Sequence, residues 1–593
     1  MKKLFILIFF TISSFTVAQN AAQNDYLLAE SYYREGEYEK ATQIYKNLYS
    51  KSTFNTTYLK RLISCYQETD QFLEAEKLLK SNLKKDAKQH FLYVFLGYNY
   101  ERQQLKELAT KNYHLALKAI GKKTRYGGVI GKAFKEYNLL DYAILAYEKI
   151  MAENENANYN FQVAEIYGEK GDFKKMFEAY INMIDKNESF FNIVQRYTSK
   201  YITDDAENEA NILFRKTLLK KSASNPKDIW NVLLSWLFTQ QKDYNKALIQ
   251  EKALYQRNAS DLTAIFSLGK IAFENKNYEA SKDCFDFITQ KTTFAEEQVE
   301  AFLYIAKIAV ATNNPDTEKL FQSLFSRFGK NKYTIQLQVA YADFLTFQQN
   351  KPNEAKVILE EALSFSNSKF DKARIKLKLG DILVFTGKYN KALIYFSQIQ
   401  TQLKNHELAQ QARFKVAQTS YFKGDFTWAK AQLKVLKSAT SQLIANDALE
   451  LYLTIIDNEP VDSIPSGLIQ YSKAALLSFQ NKNQQAIDTL STIDQKFKGQ
   501  PIEDEALFKK AKLYVKLNQF EAAITNFEKV IALNTEGILI DDAYYELAEL
   551  YKNQLNNPEK ASEYYQKIIF DYSSSIYLVD ARKKYRKLRG DNI

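Results

Sequence analysis

The sequence predicts an all-α fold, a solenoid of antiparallel helix hairpins, on three observations. Ala41, Ala75, Ala109 and Ala143 stand 34 residues apart. Their surroundings repeat in step: a small or apolar residue twelve positions before (Ala29, Ile63, Gly97, Gly131), an aromatic nine before (Tyr32, Tyr66, Tyr100, Phe134), and Tyr45, Leu79, Tyr113 or Tyr147 four after. The 593 residues include only 17 Gly and 7 Pro, the scarcity that long runs of helix require. A fixed period of this length is the signature of stacked helical hairpins, none of which buries enough apolar surface to persist alone.

The elements follow in order. The first hairpin is predicted to pair a helix near Asp25–Glu35 with one near Glu39–Tyr49. Gly36 sits in the turn between them, where a helix C-terminus favours a left-handed residue. Gly97 and Gly131 are small because helix A meets helix B there, and Ala41 and its equivalents are small for the same reason. Tyr32 and Tyr45 fill the space between hairpins, each ring burying about 150–250 Å², and this use accounts for the 14% aromatic content. The period holds over 21–186, with Met176 at the alanine position of the fifth repeat. A divergent array is expected over 187–457. Helical stretches near Phe190–Tyr201 and Glu207–Lys221 make one irregular repeat there, Ala247 and Asn277–Ser281 restore the motif, and Asn313–Glu318 and Asn350–Ala355 mark weaker turns. Spacing lengthens to 37 or 38 residues from Ala392, through Ala429, Ala486, Ala523 and Ala561. The stretch between Ala429 and Ala486 fits neither one repeat nor two; it is read as a helix near Leu443–Asp457 and an irregular connector, 458–467, with two prolines. A C-terminal array over 468–576 and a basic capping helix over 577–593 complete about fourteen hairpins.

These residues resemble the tetratricopeptide-repeat (TPR) family. The resemblance implies a right-handed superhelix with helix A lining the concave face. Counting Ala41 as position 20, it places Tyr26, Glu30, Tyr33, Arg34, Lys60, Gln67, Tyr98, Arg102, Lys132 and Lys135 on a partner-binding groove. Tyr, Arg and Lys on such a stripe are the types that anchor a protein or peptide partner. The carboxylate clamp of chaperone-cofactor repeats is not encoded, because Tyr26, Glu30, Arg61, Phe91 and Phe95 occupy its positions. Residues 480–590 resemble a narrower subtype found in envelope proteins, including the outer-membrane β-barrel assembly lipoprotein and the Tol–Pal-associated periplasmic protein. The run Ala561–Tyr577 carries that likeness, with Ser573 where the subtype has proline.

The first twenty residues differ in kind. Met1-Lys2-Lys3 followed by the apolar run from Leu4 to Val17 reads as a secretory signal cleaved between Ala18 and Ala22, too short for a membrane span. No cysteine stands near the cleavage site, so no lipoprotein is expected. The mature chain is expected in a bacterial periplasm, peripheral to the outer membrane, with no transmembrane segment. The formal net charge is +11, and Arg582, Lys583, Lys584, Arg586, Lys587 and Arg589 concentrate it at the end, a candidate contact for an anionic membrane surface. Nucleic acid is disfavoured by the secretory signal. Cys65 and Cys284 fall on apolar helix faces and are expected to be buried small hydrophobes. His90, His114 and His406 stand alone, outside metal-ligand spacing, and neither a nucleophile elbow nor a phosphate loop is present. No enzyme activity, cofactor or metal is therefore predicted. The expectation is a non-catalytic interaction scaffold with an envelope-associated partner; the alternative is a cell-wall glycan- or peptidoglycan-associated factor.

Overall fold

The computed structural model describes residues 23–591 apart from 87, 122–124, 260, 437–440, 460–466 and 534–536. The expected signal over 1–20 and most of the connector at 458–467 lie outside the described residues. Among those described there is no strand. The helices form fifteen antiparallel hairpins, from 23–34 with Tyr38–Lys51 to Ile540–Asn553 with Pro558–Asp571. Two helices lack a hairpin mate, Gln442–Ile456 and the terminal Leu578–Leu588. The chain divides into two compact units, Met1–Thr203 with Glu209–Leu233, and Asp204–Asn208 with Leu234–Ile593.

Fourteen of the fifteen hairpin turns carry one residue with positive φ, among them Gly36, Asp70, Gln104, Asn138, Lys276 and Asn518. In twelve of them the next residue's N–H bonds back five positions, as Glu37 to the Tyr32 carbonyl at 2.9 Å, Gln71 to Tyr66 at 2.8 Å, and Leu105 to Tyr100 and Leu139 to Phe134 at 2.9 Å; Lys351 and Asn557 bond back six, to Leu345 and Tyr551. This is the Schellman closure, which satisfies carbonyls that a helix end leaves orphaned. The aromatic nine residues before each alanine is thus the acceptor that shuts the turn. Where the bonding residue is Asp172, Asp243, Asn277 or Asn557, its side chain also caps helix B. The sixth hairpin is the exception. Its helices, Phe191–Thr198 and Glu209–Ser224, are joined by a longer loop, as the divergent repeat suggested.

The left-handed positions correct one expectation. They fall at 36, 70, 104 and 138, then at 276, 313, 350, 387 and 424, so the 37-residue period begins at Lys276 and not at Ala392. Helix A has grown by more than one turn, to 17 residues in Ala295–Ala311 against 11 in Leu92–Arg102. Substitution at the alanine position hides the change. Ser281 stands there fully buried and donates its hydroxyl to the Gly269 carbonyl at 2.8 Å, and Thr317 stands there in the next hairpin.

Stacking reaches beyond nearest neighbours in both units: in the first, Gln67 and Lys60 of the second hairpin meet Tyr137 and Glu136 of the fourth, and the second carries a longer fold-back. Phe479, ending Leu468–Phe479, meets Phe347 and Phe422 with ring centroids 5.3 and 5.7 Å apart. The amides of Gln480 and Asn481 donate to the carbonyls of Phe385 and Phe347 at 2.7 and 2.5 Å. The unpaired helix Gln442–Ile456 precedes this fold-back; it and the connector fill the irregular interval seen in the sequence.

Candidate functional site

The candidate residues lie on helix A, where the repeat aims one stripe of side chains away from helix B. In the first unit most of that stripe is tied to itself. Glu30 is buried and accepts from the Tyr45 hydroxyl at 2.6 Å and from Arg61 at 2.6 and 3.0 Å. Burial alone would raise its carboxyl, but the bonds from Tyr45 and Arg61 hold it below the ordinary value. The Arg61 guanidinium covers the Tyr33 ring at 4.4 Å. Gln67 is fully buried, donating to the Phe95 carbonyl at 3.0 Å and accepting from the Tyr137 hydroxyl at 2.8 Å. Tyr98 stacks on Tyr137 with centroids 4.1 Å apart. Lys60 reaches Glu136 at 3.2 Å and lies over the Phe91 and Phe95 rings. Arg102 meets Glu68 and Asp70, and Lys135 meets Glu165 and Glu169. Tyr26 packs against Tyr45 and Tyr58.

Of the ten groove candidates, Glu30 and Gln67 are therefore consumed by packing, because their polar atoms are bonded inside and out of solvent. Arg34 and Lys132 stand exposed. The other six are half-buried.

The C-terminal basic cluster is largely ion-paired. Lys584 is bonded to Glu549 at 2.7 Å, Asp580 at 2.8 Å and the Tyr545 hydroxyl at 2.7 Å, Lys583 pairs with Asp204, and Arg586 and Arg589 both reach Asp591. Among the described residues only Arg582 and Lys587 of the six carry no ion pair. Ion pairs thus engage four of the six, with Asp591 serving both arginines.

In the second unit the same stripe carries residues that the sequence reading missed. Lys270 pairs with Glu300 at 2.9 Å and lies over Phe266 and Tyr304 at 4.7 and 5.7 Å. Lys307 lies over the same Tyr304 ring at 4.7 Å. Lys378 pairs with Asp343 at 2.5 Å and with Asp381 at 3.7 Å, and Lys415 with Asp381 at 3.2 Å. Asp381 and Asp343 hold Lys378 above its ordinary value against burial that would lower it. A signal for this row was available. Lys270 stands eleven residues before Ser281, as Tyr98 does before Ala109, but serine at the alanine position masks the phase there.

A cavity of about 310 Å³ lies further along the second unit, walled by Tyr421, Tyr471, Asp447, Glu450 and Lys509 among others. Lys509 lies over Tyr471 at 5.2 Å, and burial lowers its ammonium against the pull of Glu450. Cys65 and Cys284 are buried and free, burial pushing each thiol up to about 12. His406 caps a helix, its Nδ1 accepting from Leu408 at 3.1 Å. No group of three or more His, Cys, Asp or Glu among the described residues is placed to hold a metal ion. No described helix is long and apolar enough to cross a membrane.

Residues 23–52 and 542–575 match one tetratricopeptide-repeat family model and residues 504–536 match another. No curated protein matches the chain in sequence. Among solved structures the chain is similar to the yeast Tom70 crystal structure, 12% identical, covering 73% of this chain and 95% of that one, with a TM-score of 0.31. It is also similar to Naa15/Naa10 bound to HypK-THB, 12% identical over 96% of each chain, with a TM-score of 0.27. A third is PilW, described as a type IV pilus biogenesis factor, 14% identical over 40% of this chain and 95% of that one, with a TM-score of 0.26. Tetratricopeptide repeats thus stand at both ends of an all-α array of helix hairpins.

Proposed function

We propose that this chain is a non-catalytic interaction scaffold of the bacterial periplasm that receives a protein or peptide partner on its helix-A face. The observation that carries the reading is the row of rings and cations set at one phase of successive rigid helices, with Tyr98, Lys132 and Lys270 as examples. Such side chains supply π faces and donors at low entropic cost, because neighbouring repeats already hold them. The secretory character of residues 1–20 and the envelope-type likeness of residues 480–590 support the location. With the C-terminal cations mostly paired, attachment to the envelope falls to the partner and not to a lipid surface.

The test is photocrosslinking in intact cells. A photoreactive residue at Tyr98 or Lys132 should give a discrete adduct, and one at Lys111, exposed on helix B of the third hairpin, should not. Equal yields from both faces, or adducts from neither, would sink the reading, and recovery of the protein from the cytoplasm would remove its location.

A further inference from the structure

We infer that the helix-A face of the second unit, around Lys307, is a docking site for an acidic polypeptide segment of the partner, one with carboxylates spaced among apolar or aromatic residues. This inference rests on the scaffold reading above and names the chemistry that the partner must bring.

Cations on the helix-A stripe are paired with acids about one repeat away: Arg61 with Glu30, Arg102 with Glu68, Lys135 with Glu165, Lys270 with Glu300, Lys378 with Asp343, Lys415 with Asp381. Lys307, half-buried, departs from that pattern, as do the exposed Arg34 and Lys132. No carboxylate among the described residues lies within ion-pair distance of Lys307. Glu300, the acid that acts on Lys307, is held by Lys270, and Asp343 is held by Lys378.

Its surroundings sharpen the point. Lys307 is half-buried, and burial together with the like charges of Lys270 and Lys378 keeps its ammonium below the ordinary lysine value. A cation in such a place is an electrostatic cost that folding leaves in place. An incoming carboxylate removes that cost, and it does so in a partly desolvated site where the attraction is strong. Rings beside it suit the apolar residues of the same segment. Tyr304 is shared by Lys270 and Lys307, and Phe266 lies next to Lys270. Both Phe266 and Lys270 also line a groove of about 400 Å³ with Tyr255 and Phe294, whose ring is 69% exposed. The cavity at Lys509 differs, because Glu450 on its wall acts on that cation and, among the described ion pairs, is held by no other, whereas Glu300 is held by Lys270.

The probe is a fluorescein-labelled decapeptide of alternating glutamate and phenylalanine, titrated against the full-length mature protein by anisotropy. A peptide with lysine in place of glutamate is the control. The acidic peptide should bind and the basic one should not, and raising salt from low to moderate ionic strength should weaken binding several-fold. Lys307→Glu should weaken it at least tenfold and Lys307→Met several-fold, while Lys319→Ala on helix B should leave it unchanged. Lys307→Met also guards against misfolding, since losing an uncompensated cation should keep or raise the melting temperature. Equal binding of the two peptides, or affinity indifferent to Lys307→Glu, overturns the inference. So does a failure of the acidic peptide to bind. Crosslinking from Tyr98 separates the two readings: adducts there with a peptide that ignores Lys307 leave the scaffold and sink the acidic site. Peptide binding that depends on Lys307 sustains the site even where no adduct forms.

Discussion

Gly97→Ala is the sharpest test of how helix A meets helix B. A Cβ built on Gly97 would lie 2.3 and 2.5 Å from two carbons of the Tyr113 ring and 3.1 Å from the Ala109 carbonyl oxygen. Ordinary carbon contacts are about 3.5–4.0 Å, so the ring must retreat by more than 1 Å. It has nowhere to go. Tyr113 is 3% exposed, its hydroxyl is bonded to Glu101, and its ring lies against Phe134 and Tyr142 with centroids 5.7 and 4.9 Å away. Replacing glycine within a helix would by itself stabilise by about 1 kcal/mol. Against this stand about 1–3 kcal/mol of overpacking and, if the ring tilts, about 1–3 kcal/mol for its charge-assisted bond to Glu101. The net expectation is a loss of about 1–3 kcal/mol, confined to the neighbouring hairpins.

A long array does not melt in two states, so the readout is local hydrogen exchange followed by mass spectrometry. Protection should fall over residues 56–153 and stay unchanged beyond residue 234. Tyr113→Leu supplies the control: with the ring gone, Gly97→Ala should stabilise, and the cycle should show coupling of about 2–3 kcal/mol. Gly380→Ala meets Phe396 at the same 2.3 Å but without a hydroxyl bond at stake, so its cost should be the smaller. Stabilisation by Gly97→Ala in the native background, or loosened exchange in the second unit, would refute the reasoning.

Other perturbations follow from the turns and the buried acids. Lys276→Gly should stabilise by about 0.5–1 kcal/mol, since Lys276 holds φ near 60° at a strain glycine does not pay; slower exchange in Thr263–Lys291 would check it. Asp172→Ala should cost about 1 kcal/mol by removing the cap on the Lys175 N–H, read as faster exchange at the start of Phe173–Lys186. Burial, aided by Asp504, pushes Glu505 from 4.5 up to about 8, so the folded state keeps a proton that the unfolded chain releases. Stability of the second unit should then fall as pH rises from 4.5 to 8, and Glu505→Gln should flatten that fall in its melting temperature; an unchanged slope contradicts the assignment.

Much of the fold could be read from the chain because each repeat obeys local rules. Schellman turns need one left-handed residue, helix contacts need a small residue opposite a large one, and both leave marks at fixed offsets from Ala41, Ala75, Ala109 and Ala143. Reading weakened where a buried polar residue replaced the mark, as Ser281 and Thr317 do, and where glycine gave way to lysine at 242 and 276. The fold-back of Phe479 was not visible at all, since nothing local specifies which distant carbonyls Gln480 and Asn481 will meet. The candidate site fared differently. Phase correctly assigns residues to helix A, but it cannot tell an open carboxylate from one already spent, and Glu30 and Gln67 look as available in sequence as Arg34.

The pairing of charges across hairpins explains why. Most paired cations on the stripe bridge to an acid about one repeat away, so the same residues that would hold a partner also hold the stack. Exposed pairs of this kind contribute only about 0–1 kcal/mol each, and their main effect is to set register and to exclude wrong charges from the face. A stripe built this way is selective by default: an acidic ligand must compete with Glu or Asp already in place, and a basic one meets a ready-made cation. Binding strength can then come only from positions where the internal account does not balance. In the second unit Lys307 is such a position, beside rings shared with a paired neighbour, and there a ligand gains more than the stack loses.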